Sequence, residues 1–279
     1  MKFAVFTVST PDYAPEDLLP LLAELGYNGV EWRVAEPNYD ANKAIDYWAN
    51  NRCTVPVQGF ADIARPLVAQ ATALGLETPT LGDYLKCDDL ATVELLMTQA
   101  ASVGIKQMRV GPLNYDGTVP ARELFAQSRK AFEQVQALSK KTGVKAIVEM
   151  HMGIITASAS AARALVEGLD PDCIGVLYDV GNMVYEGFEQ YQLGLEIIGE
   201  YLAHVHLKNA MWQVAGTNKG AVKWQCNFAP LRTGQADCDA FIKALRTVGY
   251  DGWVSFEDFS AGDTRDKLVD NLAYIKSLR

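Results

Sequence analysis

The sequence predicts an α/β fold: a single-domain (β/α)8 TIM barrel over residues 1–279. Strand-length apolar runs alternate with helical patterns along the whole chain, and eight such repeats suffice to close a barrel of about 250 residues. The predicted strands lie at 2–8, 29–34, 77–81, 107–111, 144–151, 174–182, 202–209 and 253–259. The predicted helices lie at 14–25, 61–74, 88–103, 121–142, 158–168, 188–201, 236–248 and 263–278. An open doubly wound sheet is the alternative, but no G-x-G-x-x-G follows the first strand.

Local signals support these elements in order. The first helix begins near Pro15 and ends before Gly26, and the next two also end before glycines, which are typical residues after a helix. The helix at 121–142 has an apolar stripe of core-facing period. Two polar segments, near 35–60 and 210–234, are insertions at strand exits, and the first is expected to contain one short helix. Loops of this length are usually functional.

Charge and cysteine content exclude some classes of function. The formal net charge is −9 and no basic cluster occurs, which disfavours nucleic-acid binding because phosphate backbones require clustered cations. The five cysteines form no C-x-x-C pair, so we expect free thiols in a reducing compartment. The chain starts with a strand pattern rather than a signal peptide, and no apolar run reaches about 18 residues. We therefore expect a cytoplasmic protein without a membrane partner.

Four late strands each end on a residue type that binds metals. These candidate ligands are Glu149, Asp179, His206 and Glu257. Because side chains two residues apart share one face of a strand, a single register points all four into the barrel. The same register points Glu31, Arg33 and Arg109 inward. The neighbours predicted to face the helices are Val148, Met150, Val176, Tyr178, Val205, Leu207, Val254 and Phe256.

Three carboxylates and an imidazole at one end of a barrel form a mixed oxygen–nitrogen site. This donor set favours one divalent cation, with Mn²⁺ preferred and Mg²⁺, Co²⁺ or Zn²⁺ as alternatives. Without a cation the carboxylates would repel each other, and the pKa of at least one would rise. The alternative interpretation is that Asp179 and Glu257 only cap the following helices and that the histidines are hydrogen-bonded core residues.

The sequence around these residues resembles a known superfamily. The segments are Val-Glu149-Met-His151, Tyr-Asp179-Val-Gly-Asn182, His204-Val-His206-Leu-Lys208-Asn209 and Gly249-Tyr-Asp-Gly-Trp253-Val-Ser-Phe-Glu257-Asp258. They resemble the xylose-isomerase-like TIM-barrel superfamily of sugar-phosphate isomerases and epimerases, which includes ketose 3-epimerases, hydroxypyruvate isomerase and inosose dehydratase.

The resemblance implies roles for individual residues. Glu149, Asp179, His206 and Glu257 would be the metal ligands, with the two glutamates also serving as the acid/base pair. His151 and Lys208 would contact the substrate. Asn182 departs from the pattern, because many members have histidine at that position. Asparagine binds a hydroxyl or carbonyl group but does not transfer a proton near neutral pH.

The predicted reaction is proton transfer next to the carbonyl of a small sugar or polyhydroxy compound. A divalent metal would stabilise the enediolate, while Glu149 and Glu257 act as catalytic acid and base. Lys208 and Arg109 are candidates for binding the substrate and stabilising its negative charge, or else form rim salt bridges.

Two further residues complete the candidate set. Arg33 is a substrate-binding candidate from its inward register, and Trp224 is a candidate for stacking on a sugar face. Trp32 points outward, so we expect it to be ordinary packing.

Other functions use the same barrel. An inosose-type dehydratase would form the same intermediate and then expel a hydroxyl group. A sugar-binding barrel would have lost catalysis. A zinc endonuclease needs more metal ligands than the three histidines of this chain provide. It also needs a DNA-binding surface, which the acidic composition disfavours. The expected partner is a small sugar-like substrate, and a homo-oligomer is a further possibility by analogy with relatives.

Overall fold

The computed structural model describes residues 1–278. The strands are β1 (Lys2–Phe6), β2 (Gly29–Val34), β3 (Thr54–Val55), β4 (Leu81–Asp83), β5 (Gln107–Arg109), β6 (Lys145–Glu149), β7 (Ile174–Asp179), β8 (Leu202–Leu207), β9 (Asn209–Asn218), β10 (Ala221–Ala229) and β11 (Trp253–Phe256). The α-helices are α1 (Pro15–Leu25), α2 (Phe60–Ala73), α3 (Leu90–Ser102), α4 (Ala121–Thr142), α5 (Ala159–Val166), α6 (Asn182–Tyr185), α7 (Tyr191–Ile198), α8 (Cys238–Thr247) and α9 (Thr264–Ser277). Short 3₁₀ helices occupy Thr7–Ser9 and Gly199–Tyr201.

Eight parallel strands close into a barrel. Their order is β1-β11-β8-β7-β6-β5-β4-β2, and β1 pairs with both β11 and β2. The short strand β3 pairs with the last two residues of β2. This closed sheet with surrounding helices is a single-domain TIM barrel, as the sequence predicts. None of the helices within residues 1–278 combines the length and apolarity needed to span a bilayer.

The core lies between the strands and the helices. All eight side chains predicted to face the helices belong to this core, and Trp32 is fully buried in the same layer. Inside the barrel, Phe6 lies under His206 with ring centroids 5.3 Å apart. Gly82 makes room for Phe6, because a Cβ at that position would lie 2.2 Å from the Phe6 ring.

Several predicted elements have different bounds in the structure. The third predicted strand, 77–81, is wrong, because the barrel strand is β4 at Leu81–Asp83 and Glu77 forms only an isolated bridge with Gly29. Pro79 provides no backbone N–H for a strand ladder, which explains the shift. The helix predicted at 188–201 is divided into α7 and a 3₁₀ turn.

The two polar segments also differ from expectation. No helix occurs within 35–59, where the chain instead forms turns around the buried amide of Asn50, which donates hydrogen bonds to three backbone carbonyls at 3.0–3.1 Å. Residues 210–229 are mostly an antiparallel hairpin made by β9 and β10. Both segments lie at the carboxyl ends of barrel strands, and an aromatic side chain from each lines a cavity at that end.

Candidate metal centre and substrate cavity

The four candidate ligands converge at the carboxyl ends of four neighbouring strands. Glu149 and Asp179 are the last residues of β6 and β7, His206 lies in β8, and Glu257 follows β11. The register pairs Asp179 and Ser255 with His206 on either side. One possible ligand atom from each of the four lies within 4.8 Å of the others, and all four side chains are buried.

The Nδ1 atom of His206 faces the three carboxylates. It lies 3.7 Å from Glu149 Oε1, 3.9 Å from Asp179 Oδ2 and 3.9 Å from Glu257 Oε2. This buried nitrogen has no hydrogen-bond partner within the described residues. A nitrogen lone pair and three carboxylate oxygens around one point are the donor set of a divalent cation, so the residues fit such an ion.

Two buried cations already offset part of the negative charge. Lys208 Nζ lies 2.9 Å from Asp179 Oδ2 and 2.7 Å from Glu257 Oε2, while Arg109 donates to Glu149. Burial acts to raise the pKa of Glu149, but Arg109 and His206 hold it well below its usual range. Burial and the neighbouring carboxylates raise the pKa of Asp179 to about 6, despite Lys208. The pKa of Glu149 is thus lowered while that of Asp179 is raised, as expected for carboxylates that repel each other. A divalent cation would relieve this repulsion.

Asp179 has two separate contacts. Its Oδ1 atom accepts hydrogen bonds from the backbone N–H groups of Gly181 and Asn182, both at 2.9 Å, at the start of α6. Its Oδ2 atom faces the cluster. The helix-capping interpretation and the ligand interpretation therefore each describe one oxygen of the same carboxylate.

Glu31 lies beneath the cluster and contacts both inward histidines. Its carboxylate is 3.0 Å from His204 Nε2 and 3.0–3.1 Å from His206 Nε2, and all three side chains are fully buried. A carboxylate accepts only from a protonated nitrogen, so these contacts assign the proton of each ring to Nε2. In a neutral His206 ring this leaves the lone pair of Nδ1 directed toward the three carboxylates, where it is available to a cation.

Two connected cavities adjoin the cluster. The smaller, about 60 Å³, lies over the cluster and is lined by Trp48, Tyr84, Arg109, Glu149, His151, Met152, Lys208, Phe228, Glu257 and Phe259. The larger, about 250 Å³, shares four of these residues and extends to Asp83, Leu85, Lys86, Gly111, Pro112 and Ile154. The two cavities share Tyr84, Arg109, Glu149 and His151, so they adjoin each other beside the cluster.

Three aromatic side chains cover the smaller cavity. The Phe259 ring lies 4.7 Å from Trp48 and 4.8 Å from Phe228, measured between centroids. Trp48 comes from the segment after β2 and Phe228 from β10, so both long segments contribute to this cover. An apolar cover excludes water and strengthens electrostatic interactions beneath it.

Four other predicted site residues lie beside the cluster, either in the lining of the smaller cavity or in contact with a candidate ligand. His151 and Lys208 line the smaller cavity, as does Arg109. Asn182 is fully buried and donates to Glu149 Oε1 at 3.3 Å and to the Met150 carbonyl at 3.0 Å, so it holds Glu149 in place.

Arg33 and Trp224 are not brought to the four-residue cluster. Arg33 donates to Thr54 and to the Trp48 carbonyl, which supports the segment that carries Trp48. Trp224 is 59% exposed on the hairpin and is absent from the lining of both cavities. Their substrate-binding roles stay predictions.

Sequence reasoning missed several residues that line the cavities. Asp83 is the last residue of β4, whose bounds were misplaced, and Lys86 follows it. Trp48 and Phe228 lie in segments whose shape was not predicted. Phe259 had a usable signal, since it lies two residues after Glu257 in the same strand pattern.

Asp83 gives a testable pH dependence. Its Oδ2 atom is buried without a hydrogen-bond partner, and burial raises its pKa from 3.8 to about 7, despite Arg109. The folded protein then holds a proton that the unfolded chain releases, so the associated stability is present below pH 4 and is lost as the pH rises through about 7. We expect the stability of wild type relative to Asp83→Asn to fall by about 1–3 kcal/mol between pH 4 and 8. Denaturant unfolding at both pH values measures this, with exposed Asp88→Asn as the control. A pH-independent difference contradicts it.

This fold and cluster define a TIM-barrel protein with a candidate metal centre. The chain belongs to the xylose isomerase-like TIM barrel family, whose family model matches residues 19–278. An inosose dehydratase of Clostridium perfringens (strain ATCC 13124) is 25% identical over 143 residues, which are 46% of this chain and 45% of that protein. The chain thus matches slightly less than half the length of this curated relative.

Solved structures share the whole fold at low identity. A 3-keto-D-glucoside 4-epimerase from E. coli, in its apo form, has a TM-score of 0.73 and 15% identity, with 99% of both chains covered. A xylose isomerase-like TIM barrel protein from Mycobacterium smegmatis in complex with magnesium has a TM-score of 0.71 and 16% identity, covering 99% of this chain and 96% of that chain. At these identities the structures establish the fold alone.

Proposed function

We propose that this protein is a divalent-metal-dependent isomerase or epimerase that moves a proton next to the carbonyl of a small polyhydroxy compound. The observation that carries the proposal is the buried convergence of Glu149, Asp179, His206 and Glu257 beside a substrate-sized cavity. When bound, a divalent cation would supply Lewis-acid stabilisation of negative charge on the substrate oxygens. We propose Mn²⁺ as that ion.

The two glutamates are placed to exchange protons with the substrate. Glu149 and Glu257 lie at the two ends of the row formed by β6, β7, β8 and β11, and both line the smaller cavity. In the proposed reaction one carboxylate accepts the proton from carbon, and the other, in its protonated form, donates its own proton to the substrate. Lys208 and Arg109 line the same space, and their positive charges would stabilise the developing negative charge. The aromatic cover keeps water from the carbanion.

Deuterium exchange tests the proposal directly. The protein is loaded with Mn²⁺ and incubated in D₂O with a panel of ketoses and aldoses, and the products are analysed by mass spectrometry and, after metal removal, by NMR. We expect deuterium at a carbon next to the carbonyl of at least one compound. A metal-bound protein that exchanges no proton across the panel contradicts the proposal.

Dehydration is the second candidate, because the curated relative described above is an inosose dehydratase. The same first proton transfer would be followed by loss of a β-hydroxyl group. An ultraviolet-absorbing unsaturated carbonyl product identifies this reaction, whereas epimerisation produces no such absorbance. We also propose a cytoplasmic location for the protein.

A further inference from the structure

The larger cavity extends the proposed site away from the four-residue cluster. Glu149, Arg109, Tyr84 and His151 line both cavities, whereas Lys86 lines only the larger one. If the reacting carbons lie at the cluster, as the proposed function requires, the remainder of the substrate occupies this larger space. The chemistry of its walls therefore selects the substrate.

Lys86 is a half-buried cation without a protein counter-ion. Among residues 1–278 no carboxylate oxygen lies within 4.0 Å of its Nζ atom, in contrast to Arg109 and Lys208, which both pair with cluster carboxylates. Burial and the nearby Arg109 guanidinium lower the pKa of Lys86. A charge removed from water without a partner costs free energy, and a ligand anion would supply the missing partner.

The backbone fixes the position of Lys86. Cys87 N–H donates to the Gly111 carbonyl and Gly111 N–H donates to the Leu85 carbonyl, both at 2.9 Å, so Lys86 is held between two hydrogen bonds to one glycine. A Cβ on Gly111 would lie only 3.1 Å from Lys86 Nζ. The ammonium group therefore lies against a position where any side chain would crowd it.

The opposite wall does not repel an anion strongly. Besides Glu149, Asp83 is the acidic residue in the lining of this cavity, and burial raises its pKa to about 7, so its negative charge is reduced near neutral pH. Glu149 is paired with Arg109. Lys86 is thus the unpaired charge in the described lining of the larger cavity.

We propose that Lys86 binds an anionic group of the substrate in the larger cavity, so that the substrate is a carboxylated or phosphorylated polyhydroxy carbonyl compound. This inference rests on the proposed function for the orientation of the substrate. The anion lies at the end of the molecule away from the carbonyl that reacts.

Matched ligands test the proposal by calorimetry on the Mn²⁺-loaded protein. The probes are D-fructose, D-fructose 6-phosphate and 5-keto-D-gluconate. We expect at least one anionic probe to bind about 10–100-fold more tightly than D-fructose, because a charge-assisted contact is gained. The stronger of the two anions identifies the group as phosphate or carboxylate. Equal affinity for all three probes overturns the proposal.

Variants separate Lys86 from the metal. Lys86→Met should remove the preference for the anion and leave the affinity for D-fructose unchanged. Lys86→Arg should retain most of the preference for the anion. Lys106→Met, at an exposed lysine before β5, is the control. An anion that binds the metal directly keeps its advantage in Lys86→Met, and that result also overturns the proposal. Anion preference without deuterium exchange would instead contradict the proposed reaction alone.

Discussion

Replacing Glu257 by glutamine is expected to slow substrate proton exchange by about 10²–10⁴-fold, even at saturating Mn²⁺. Glutamine keeps the size of the side chain but neither accepts nor returns a proton. It also weakens metal binding, because one anionic ligand of the cluster is lost. Exchange into substrate in D₂O and metal affinity by calorimetry are measured on the same protein preparation.

Asp179→Asn is the matched comparison for Glu257→Gln. Asp179 belongs to the same cluster, but its Oδ1 atom is engaged by the start of α6 and it is absent from the lining of both cavities. Its loss should weaken metal binding, and added Mn²⁺ should restore much of the exchange. Glu123→Gln, at an exposed position of α4, should behave as wild type. If added metal restores Glu257→Gln to the wild-type rate, Glu257 is a ligand without a role in proton transfer.

Local sequence signals were sufficient for most of the barrel. The bounds of β2 and α4 match the prediction, because apolar period and the terminal glycines are properties of neighbouring residues. The bounds of the third predicted strand were wrong because its pairing partners, β2 and β5, are distant in sequence. Pro79 also lacks the backbone N–H that a strand ladder needs, so the pairing begins after it. The hairpin turns at Lys219 and Gly220, which both have positive φ, as a two-residue hairpin turn requires. Gly220 was therefore a local sequence signal for the turn that was not used.

The part of the site that depends on strand geometry alone was predicted. Residues at the ends of parallel strands meet at one end of a closed barrel whatever the loops do, so Glu149, Asp179, His206 and Glu257 were found together. Contacts that depend on loop shape were not predictable, and Trp48 and Lys86 both belong to that group. Trp224 lies on the exposed part of the hairpin, and its substrate-binding role stays a prediction.

The charges of the centre are arranged in two layers that share His206. Its Nδ1 atom faces the three carboxylates that adjoin the cavity, and its Nε2 atom faces Glu31 inside the barrel. Burial of ionic groups costs free energy unless their polar atoms have partners. Glu31, in the lower layer, pairs with Nε2–H of His206. This pairing leaves the lone pair of Nδ1 for the upper layer. We therefore expect metal affinity to depend on Glu31, which is not one of the four candidate ligands.

Glu31→Gln is accordingly expected to reduce Mn²⁺ affinity by about 10–100-fold while leaving all four candidate ligands in the chain. A carboxylate accepts from both His204 and His206, whereas a glutamine amide has one acceptor oxygen and an NH₂ group that cannot pair with a second Nε2–H. One ring must then rotate or move its proton to Nδ1, and a proton on His206 Nδ1 blocks the ligand position. Calorimetry gives the affinity. Nitrogen-15 NMR of the Zn²⁺-loaded wild-type protein should show His206 protonated at Nε2.

Two comparisons separate this effect from general destabilisation. Ser255→Ala removes the 3.0 Å contact with His204 Nε2 but leaves Glu31 and His206 paired, so its metal affinity should stay close to wild type. The NMR measurement needs no substitution and is therefore independent of whether Glu31→Gln folds. A folded Glu31→Gln protein with unchanged Mn²⁺ affinity would show that the three carboxylates hold the cation without help from the orientation of His206. A His206 ring protonated at Nδ1 in the loaded wild type would exclude that ring as a ligand through Nδ1 and would contradict the two-layer arrangement itself.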